Sequence, residues 1–342
     1  LSLNSVFMDI IIDTDPGIDD ALALFLALNS PELKIGSIVA TYGNVELKQA
    51  VRNVFNILRI AYPFWPGQPN LSPLTHQIHN FPSVFQGAES PLFRPYLKKD
   101  PRIHGKNGLG NVSLPVLKFE LNRGTGLEGA LRRYNKDSSR EKKITLICLG
   151  PLTDLARTIL IDFNLIHRIK QVILMGGAAT VPGNITQFAE FNIYSDPEAA
   201  KVVFNSGLPI IMVGLDVTHR TLLTVEDLKS LDTSEPRDNF IYNICRYYIN
   251  FHRRYRRLGG CFLHDPLAIA VAIDRSIVKT EKLAVDVEIE NQKRIGQTFI
   301  RKGAVPNVDV CLKVDLKKFM EYKKKVEKLP EEWEVVRLGN IG

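Results

Sequence analysis

Four aspartates, Asp13, Asp15, Asp19 and Asp20, fall within eight residues, directly behind the run Ile10-Ile11-Ile12. An Ile-rich run bounded by Pro16-Gly17 reads as a buried strand, expected over Asp9–Asp13. An apolar helical pattern starts at Ala21, which puts Asp19 and Asp20 at a helix N-terminus, beside the positive end of its dipole. Aspartate at such a junction is common, because it caps helices and tolerates turns. That accounts for one or two of these residues, not for four with Pro16-Gly17 bending the chain between them. Four like charges this close repel, and a hard divalent cation gripped by carboxylate oxygens is the simplest remedy.

Behind this opening, apolar β-branched runs alternate with helical patterns. Strands are expected at Asp9–Asp13, Ile35–Thr41, Ile144–Cys148, Gln171–Leu174 and Ile210–Val213, and helices at Ala21–Ser30, Glu46–Ala61, Leu152–Ile161 and Asp196–Asn205. The alternation implies right-handed crossovers and an α/β fold, a mostly parallel, Rossmann-like central sheet flanked by helices. Ligands bind such sheets beyond the carboxyl ends of the strands. Polar residues gather at those ends: the aspartate cluster, Thr41-Tyr42-Gly43-Asn44, Gly150-Pro151-Leu152-Thr153, Met175-Gly176-Gly177 and Asp216. Residues 63–122 lack periodicity and read as a long functional loop holding Ile103-His104-Gly105-Lys106-Asn107-Gly108. Leu283–Ile289, Gln297–Arg301 and Val308–Val314 read as a C-terminal meander or sheet extension, with a closing helix at 315–327.

Composition bounds the function class. With 342 residues, 45% hydrophobic and 24% charged, the chain is ordinary for a globular protein and is read as one domain over 1–342. No apolar stretch reaches eighteen residues, so no membrane partner is expected. Leu1 to Phe7 is too short and lacks the basic residues of a signal peptide, and is taken as an upstream extension. Cys148, Cys245, Cys261 and Cys311 are far apart without CxxC pairing, the usage of buried thiols in a reducing compartment, hence cytoplasm. The net charge of +7 (44 − 37) comes largely from two helical patches, 252–257 and 317–328. These are read as solvated helix faces, so nucleic acid is not expected as a partner.

Two further clusters carry polar chemistry. Asn184, Glu190 and Asn192, in a run from Gly183 to Ala200, suit hydroxyl recognition, whereas Asp196-Pro197-Glu198 is a plain helix start. His264-Asp265-Pro266 opens another helix; Asp265 suits an N-cap, and a histidine there suits proton transfer near neutrality. No serine elbow accompanies it. A haloacid-dehalogenase phosphatase also begins with a strand ending in DxD, but wants Thr or Val where this chain has Gly17. An EF-hand loop counted from Asp13 fails at its fifth position, again Gly17.

DTDPGIDDALAL, TYGN, IHGKNGLG, LMGGA, the GN…AEFNIYSDPEAA block, MVGLDVTH and HDP, in that order from Met8 to the C-terminal helix, together resemble the nucleoside hydrolases, the inosine–uridine-preferring family. The resemblance implies hydrolysis of the N-glycosidic bond of ribonucleosides to ribose and free base, in nucleoside salvage. It implies a calcium ion held by Asp15, Asp20, Asp265 and the main-chain carbonyl of Leu149, with Asp15 as general base toward a water that the cation acidifies. Asp19 and Asn44 would hold ribose hydroxyls, and Asn184, Glu190 and Asn192 the rest of the sugar, Glu190 steadying the developing cation. Met175 would lie against the sugar face. His264 would protonate the leaving base, His104 would line the base pocket, and Asp13 would orient its neighbours.

Relatives place tyrosines in the helix before HDP, where alignment puts His252 and Arg257 in this chain. Relatives also form dimers or tetramers, so a homodimer or homotetramer is expected by analogy. The alternatives are a catalytically inactive, calcium-linked ribose or nucleoside binding protein, and a polyanion binder using the 253–257 patch.

Overall fold

The computed structural model describes residues 7–62, 81–97, 99–115, 121, 126–137 and 142–324. Most of the 1–7 extension, much of the expected long loop and the end of the closing helix lie outside these residues. In chain order the elements are β1 (Met8–Thr14), α1 (Ile18–Leu28), β2 (Leu33–Ala40), α2 (Leu47–Ala61), β3 (Ser83–Gln86), α3 (Pro101–His104), α4 (Gly126–Asp137), β4 (Ile144–Cys148), α5 (Thr153–Ile161), β5 (Ile169–Met175), α6 (Phe191–Ser195) and α7 (Pro197–Phe204). There follow β6 (Ile210–Val213), α8 (Leu215–Thr218), β7 (Leu222–Thr224), α9 (Pro236–Phe251), β8 (Gly260–Phe262), α10 (His264–Ile273), β9 (Val278–Leu283), β10 (Val285–Val287), β11 (Thr298–Ile300), β12 (Val308–Val314) and α11 (Leu316–Lys323).

Eight strands form one sheet in the order β3-β2-β1-β4-β5-β6-β12-β9, every neighbour parallel except the β12–β9 pair. Of the expected C-terminal strands only β12, with β9 beside it, extends the sheet; β10 and β11 pair with each other in a separate antiparallel ribbon. Strand β1 lies in the middle, Ile12 opposite Ile38 on one side and Ile147 on the other. Period-2 alternation sends Ile10 and Ile12 into the core formed with α1, α2, α9 and α10, and Ile11 into the core formed with α4, α5 and α7. All three are fully buried, each contributing about 1.5–3 kcal/mol. A strand this firmly held can carry unfavourable groups at its end.

From β1 the chain winds outward to β2 and β3 in one direction, and from β4 to β5 and β6 in the other. The reversal leaves a crevice at the carboxyl ends of β1 and β4, where doubly wound sheets bind ligands. Strand β3 was not expected: four residues are too few for a period-2 signal to stand out. The four cysteines are free and buried. Lys323, expected on a solvated face, is instead buried, its Nζ 2.6 Å from Asp227 Oδ1. No helix among the described residues is long and apolar enough to cross a membrane.

Candidate active site

The turn from β1 into α1 is held by its own carboxylates. Asp20 accepts the Gly17 N–H at 2.9 Å and the Thr14 hydroxyl at 2.6 Å, closing the first turn of α1. Asn44, at the end of β2, donates its side-chain amide to Asp20 (3.0 Å) and its main-chain N–H to Asp15 Oδ2 (2.6 Å). The other Asp15 oxygen, Oδ1, is buried without a hydrogen-bond partner among the described residues. Asp15 occupies a slot that two glycines keep open. A Cβ on Gly43 would overlap Asp15 Oδ2, and one on Gly150, just past β4, would sit 2.8 Å from Oδ1.

Asp265 reaches the same place from the first turn of α10. It does not cap that helix: the N-cap is Leu263, with no side-chain capping bond, which leaves the carboxylate to the crevice. Oxygens of Asp19, Asp20 and Asp265 lie within 4.8 Å of one another, all three residues buried. Asp15 stands outside this trio, drawn to the Asn44 N–H, while Asp19, which the resemblance gives to ribose, stands within it. Two helix N-termini, of α1 and α10, converge on the group and offset part of its charge. The remainder is uncompensated. Burial, and next the charge of Asp20, raises Asp15, Asp19 and Asp265 well above the ordinary carboxylate range. Asp20 is also raised by burial, against its hydrogen bonds to Thr14 and Gly17. With Asp19 Oδ1 unpartnered among the described residues, the trio is an all-oxygen donor set that fits a hard divalent cation.

Asp13 points the other way. It shares the Ile11 face of β1, and burial, then Asp154, raises its carboxyl. Among the described residues neither of its side-chain oxygens has a hydrogen-bond partner; its main-chain carbonyl accepts the Leu149 N–H at 2.7 Å.

Beside the carboxylates opens a cavity of about 250 Å³. Asp19, Asn44, His104, Leu149, Met175, Asn184, Glu190, Asn192, His264 and Asp265 all line it, whereas Asp13, Asp15 and Asp20 do not. Asn192 donates its amide to the carbonyls of Leu149 (2.7 Å) and Met175 (3.0 Å), tying the ends of β4 and β5 to α6. Glu190 accepts N–H bonds from Gly177, Asn192 and Ile193. Burial pushes its carboxyl up to about 7 in spite of them. Asn184 accepts the Phe191 N–H at 2.9 Å, which leaves its NH₂ for a ligand hydroxyl.

Histidines dominate the other end. His104 Nδ1 accepts the Ile18 N–H at 3.1 Å, and burial lowers its pKa to about 3, so it is a neutral imidazole with its proton on Nε2. Tyr248, His252, Arg256, His219 and Phe262 also face the cavity. The expected Arg257 does not. A π turn at His252–Arg256 ends on Arg257 in the left-handed region (φ 56°), which leaves that side chain exposed and puts Arg256 against the cavity. Tyr248 was missed, although it stands four residues before His252 and so shares its helix face. His219 was within reach too, as the last residue of the MVGLDVTH motif.

The profile of a family described as inosine-uridine preferring nucleoside hydrolase matches residues 10–321. Uridine nucleosidase 1 of Arabidopsis thaliana is 34% identical over 298 residues, 86% of this chain and 82% of that protein. The inosine-uridine preferring nucleoside hydrolase of Crithidia fasciculata is 34% identical over 318 residues, 91% of this chain and 94% of that one. Among solved structures, a purine-preferring ribonucleoside hydrolase from Gardnerella vaginalis superposes with a TM-score of 0.81 at 32% identity, covering 94% of this chain and 98% of that chain.

Proposed function

Since the chain belongs to the inosine-uridine preferring nucleoside hydrolase family, we propose that it hydrolyses the N-glycosidic bond of ribonucleosides with the help of a calcium ion. The observation that carries this reading is the meeting of three buried carboxylates from α1 and α10 beside a cavity rimmed by Asn44, Asn184, Glu190 and Asn192. A hard cation and a polyhydroxylated sugar are the ligands such a wall suits.

Cleavage of the bond proceeds through an oxocarbenium-like state, so the site must supply a nucleophilic water, steady positive charge on the sugar and neutralise the departing base. A divalent cation held by Asp15, Asp20, Asp265 and the Leu149 carbonyl would supply Lewis acidity toward the sugar diol and the attacking water. Asp15, through its unpartnered Oδ1, acts as the general base and takes the water's proton as the C–O bond forms. The C–N bond electrons leave with the base, which takes up a proton from His264. Glu190 sets its carboxylate toward the sugar, where ionisation above about pH 7 opposes the developing positive charge. Asp19, Asn44, Asn184 and Asn192 hold hydroxyls, Met175 packs against the ring, and His104 lines the base pocket.

The test is a panel of inosine, adenosine, guanosine, uridine and cytidine assayed for released ribose and base. Turnover of at least one supports the reading; binding without turnover of any would establish the alternative, an inactive nucleoside-binding protein. The panel also decides the preferred base. Under the same reading the protein works in the cytoplasm, in nucleoside salvage, as a homodimer or homotetramer.

The glycine slot yields a sharper expectation. Gly150→Ala places a methyl 2.8 Å from Asp15 Oδ1 and forces that carboxylate to shift. A displacement near 1 Å at a reacting group costs on the order of 10²-fold in rate, against about 1–3 kcal/mol in stability for the overpacking. Unchanged kcat in Gly150→Ala would refute the role given to the slot.

A further inference from the structure

We propose that Thr218 is a positioning residue for His264, its buried hydroxyl pinning Nδ1 so that the opposite ring nitrogen, Nε2, is presented to the departing base. The inference rests on the leaving-group role given to His264 above.

Thr218 closes the short helix α8, forty-six residues before His264, and is fully buried. Its Oγ1 lies 2.8 Å from His264 Nδ1. That is the hydroxyl's one hydrogen bond among the described residues. A buried O–H without an acceptor is destabilising. Nδ1 is the acceptor in reach while the ring is neutral, so the hydroxyl then donates to it and the proton sits on Nε2; in the imidazolium the hydroxyl turns to accept Nδ1–H, and that form gives its Nε2 proton to the base and returns to the neutral ring. Nε2 itself makes no hydrogen bond among the described residues, and His264 lines the cavity. The ring plane is confined by His219, edge-on at 5.6 Å between centroids, and by Phe262 at 5.7 Å.

The two partners are also locked together through the main chain. The Thr218 carbonyl accepts the Thr221 N–H (3.1 Å) and hydroxyl (2.8 Å). Thr221 in turn accepts the Leu263 N–H at 2.9 Å, and its hydroxyl lies 3.1 Å from the Leu263 carbonyl. Leu263 is the residue before His264. The turn that carries the hydroxyl is thus stapled to the residue that sets the histidine's backbone, which holds the 2.8 Å contact in place. A hydroxyl that merely satisfied its own helix would bond to a carbonyl one turn back; this one reaches across to another element.

The experiment compares a ribonucleoside of the panel, whose base leaves poorly without a proton, with p-nitrophenyl riboside, whose leaving group needs none. Thr218→Val is expected to lower kcat on the ribonucleoside about 10- to 100-fold, a share of the 10²–10⁴ that a positioned general acid supplies. KM should stay unchanged, and turnover of p-nitrophenyl riboside should remain near the parent's, which also reports a folded site. Thr218→Ser, which keeps the oxygen, should recover the ribonucleoside rate to within a few-fold. Should valine not be accommodated, Thr218→Ala against Thr218→Ser isolates the same oxygen. His264→Ala is measured alongside. If it slows both substrates equally, the role of His264 is wrong and the assignment of Thr218 goes with it. If His264→Ala is selective while Thr218→Val is not, the positioning role alone is overturned.

Discussion

Asp15→Asn is expected to lower kcat for ribonucleoside hydrolysis by about 10²- to 10⁴-fold, the range that a positioned general base contributes. Asparagine fills the slot between Gly43 and Gly150 with the same shape, and its carbonyl oxygen still accepts the Asn44 N–H that Asp15 Oδ2 takes at 2.6 Å. What it removes is the proton-accepting oxygen and one negative charge. The variant should therefore keep its fold, seen as unchanged circular dichroism, and should unfold no more easily than the parent when both are stripped of cations. That combination is the informative one. A fully buried carboxylate raised by burial and by Asp20 is a poor choice for stability alone, and its removal should relieve repulsion. Near-parental turnover in Asp15→Asn would dismiss Asp15 as the base.

Much of the sheet was legible because its signals are redundant. Strand β1 shows itself three ways: the isoleucine run, the Pro16-Gly17 stop and the helical pattern after it. The strand ends found in this way place Asp15, Asn44, Leu149 and Met175 at one edge without further information, because parallel strands share a carboxyl edge. The base end was harder to read. Tyr248 and His252 come together through helix periodicity, but the π turn after His252 inserts a residue that no spacing rule anticipates, and Arg257 was chosen where Arg256 faces the cavity. Asp265 reads as a cap by residue type, yet Leu263 takes that position, so propensity pointed to a bland role for a side chain directed at the carboxylate cluster. The Thr218–His264 contact spans forty-six residues and leaves no trace in local pattern at all. Asp13 shows the limit from the other side: it belongs to the same motif as its neighbours, but strand alternation turns it away from the cavity.

Stripping the protein of divalent cations is expected to abolish turnover and, at pH 8, to lower its melting temperature, with calcium restoring both. The sign of the pH dependence follows from the shifts. Unfolded, the aspartates titrate near about 3.9; folded and cation-free, Asp15, Asp19, Asp20 and Asp265 are all raised, first by burial. A raised folded value means that the stability these groups contribute is full below the unfolded value and is lost as pH rises through the folded values. The cation-free protein should thus lose stability as pH rises above the unfolded carboxylate range and the cluster is forced to ionise. A bound cation reverses the cost, because it needs the ionised carboxylates and competes with their protons. At calcium one hundred-fold above its dissociation constant the gain is about 2.7 kcal/mol, and in a domain of this size that is a shift on the order of 5 °C. The calcium-dependent shift should be larger at pH 8 than at pH 5, because the folded carboxylates are raised. Replacing Asp265 by asparagine should shrink it at pH 8, since one charge of the buried trio is gone. Melting curves that coincide with and without chelator at both pH values would show that the carboxylates hold no cation, and the catalytic reading of Asp15 would then have to stand without one.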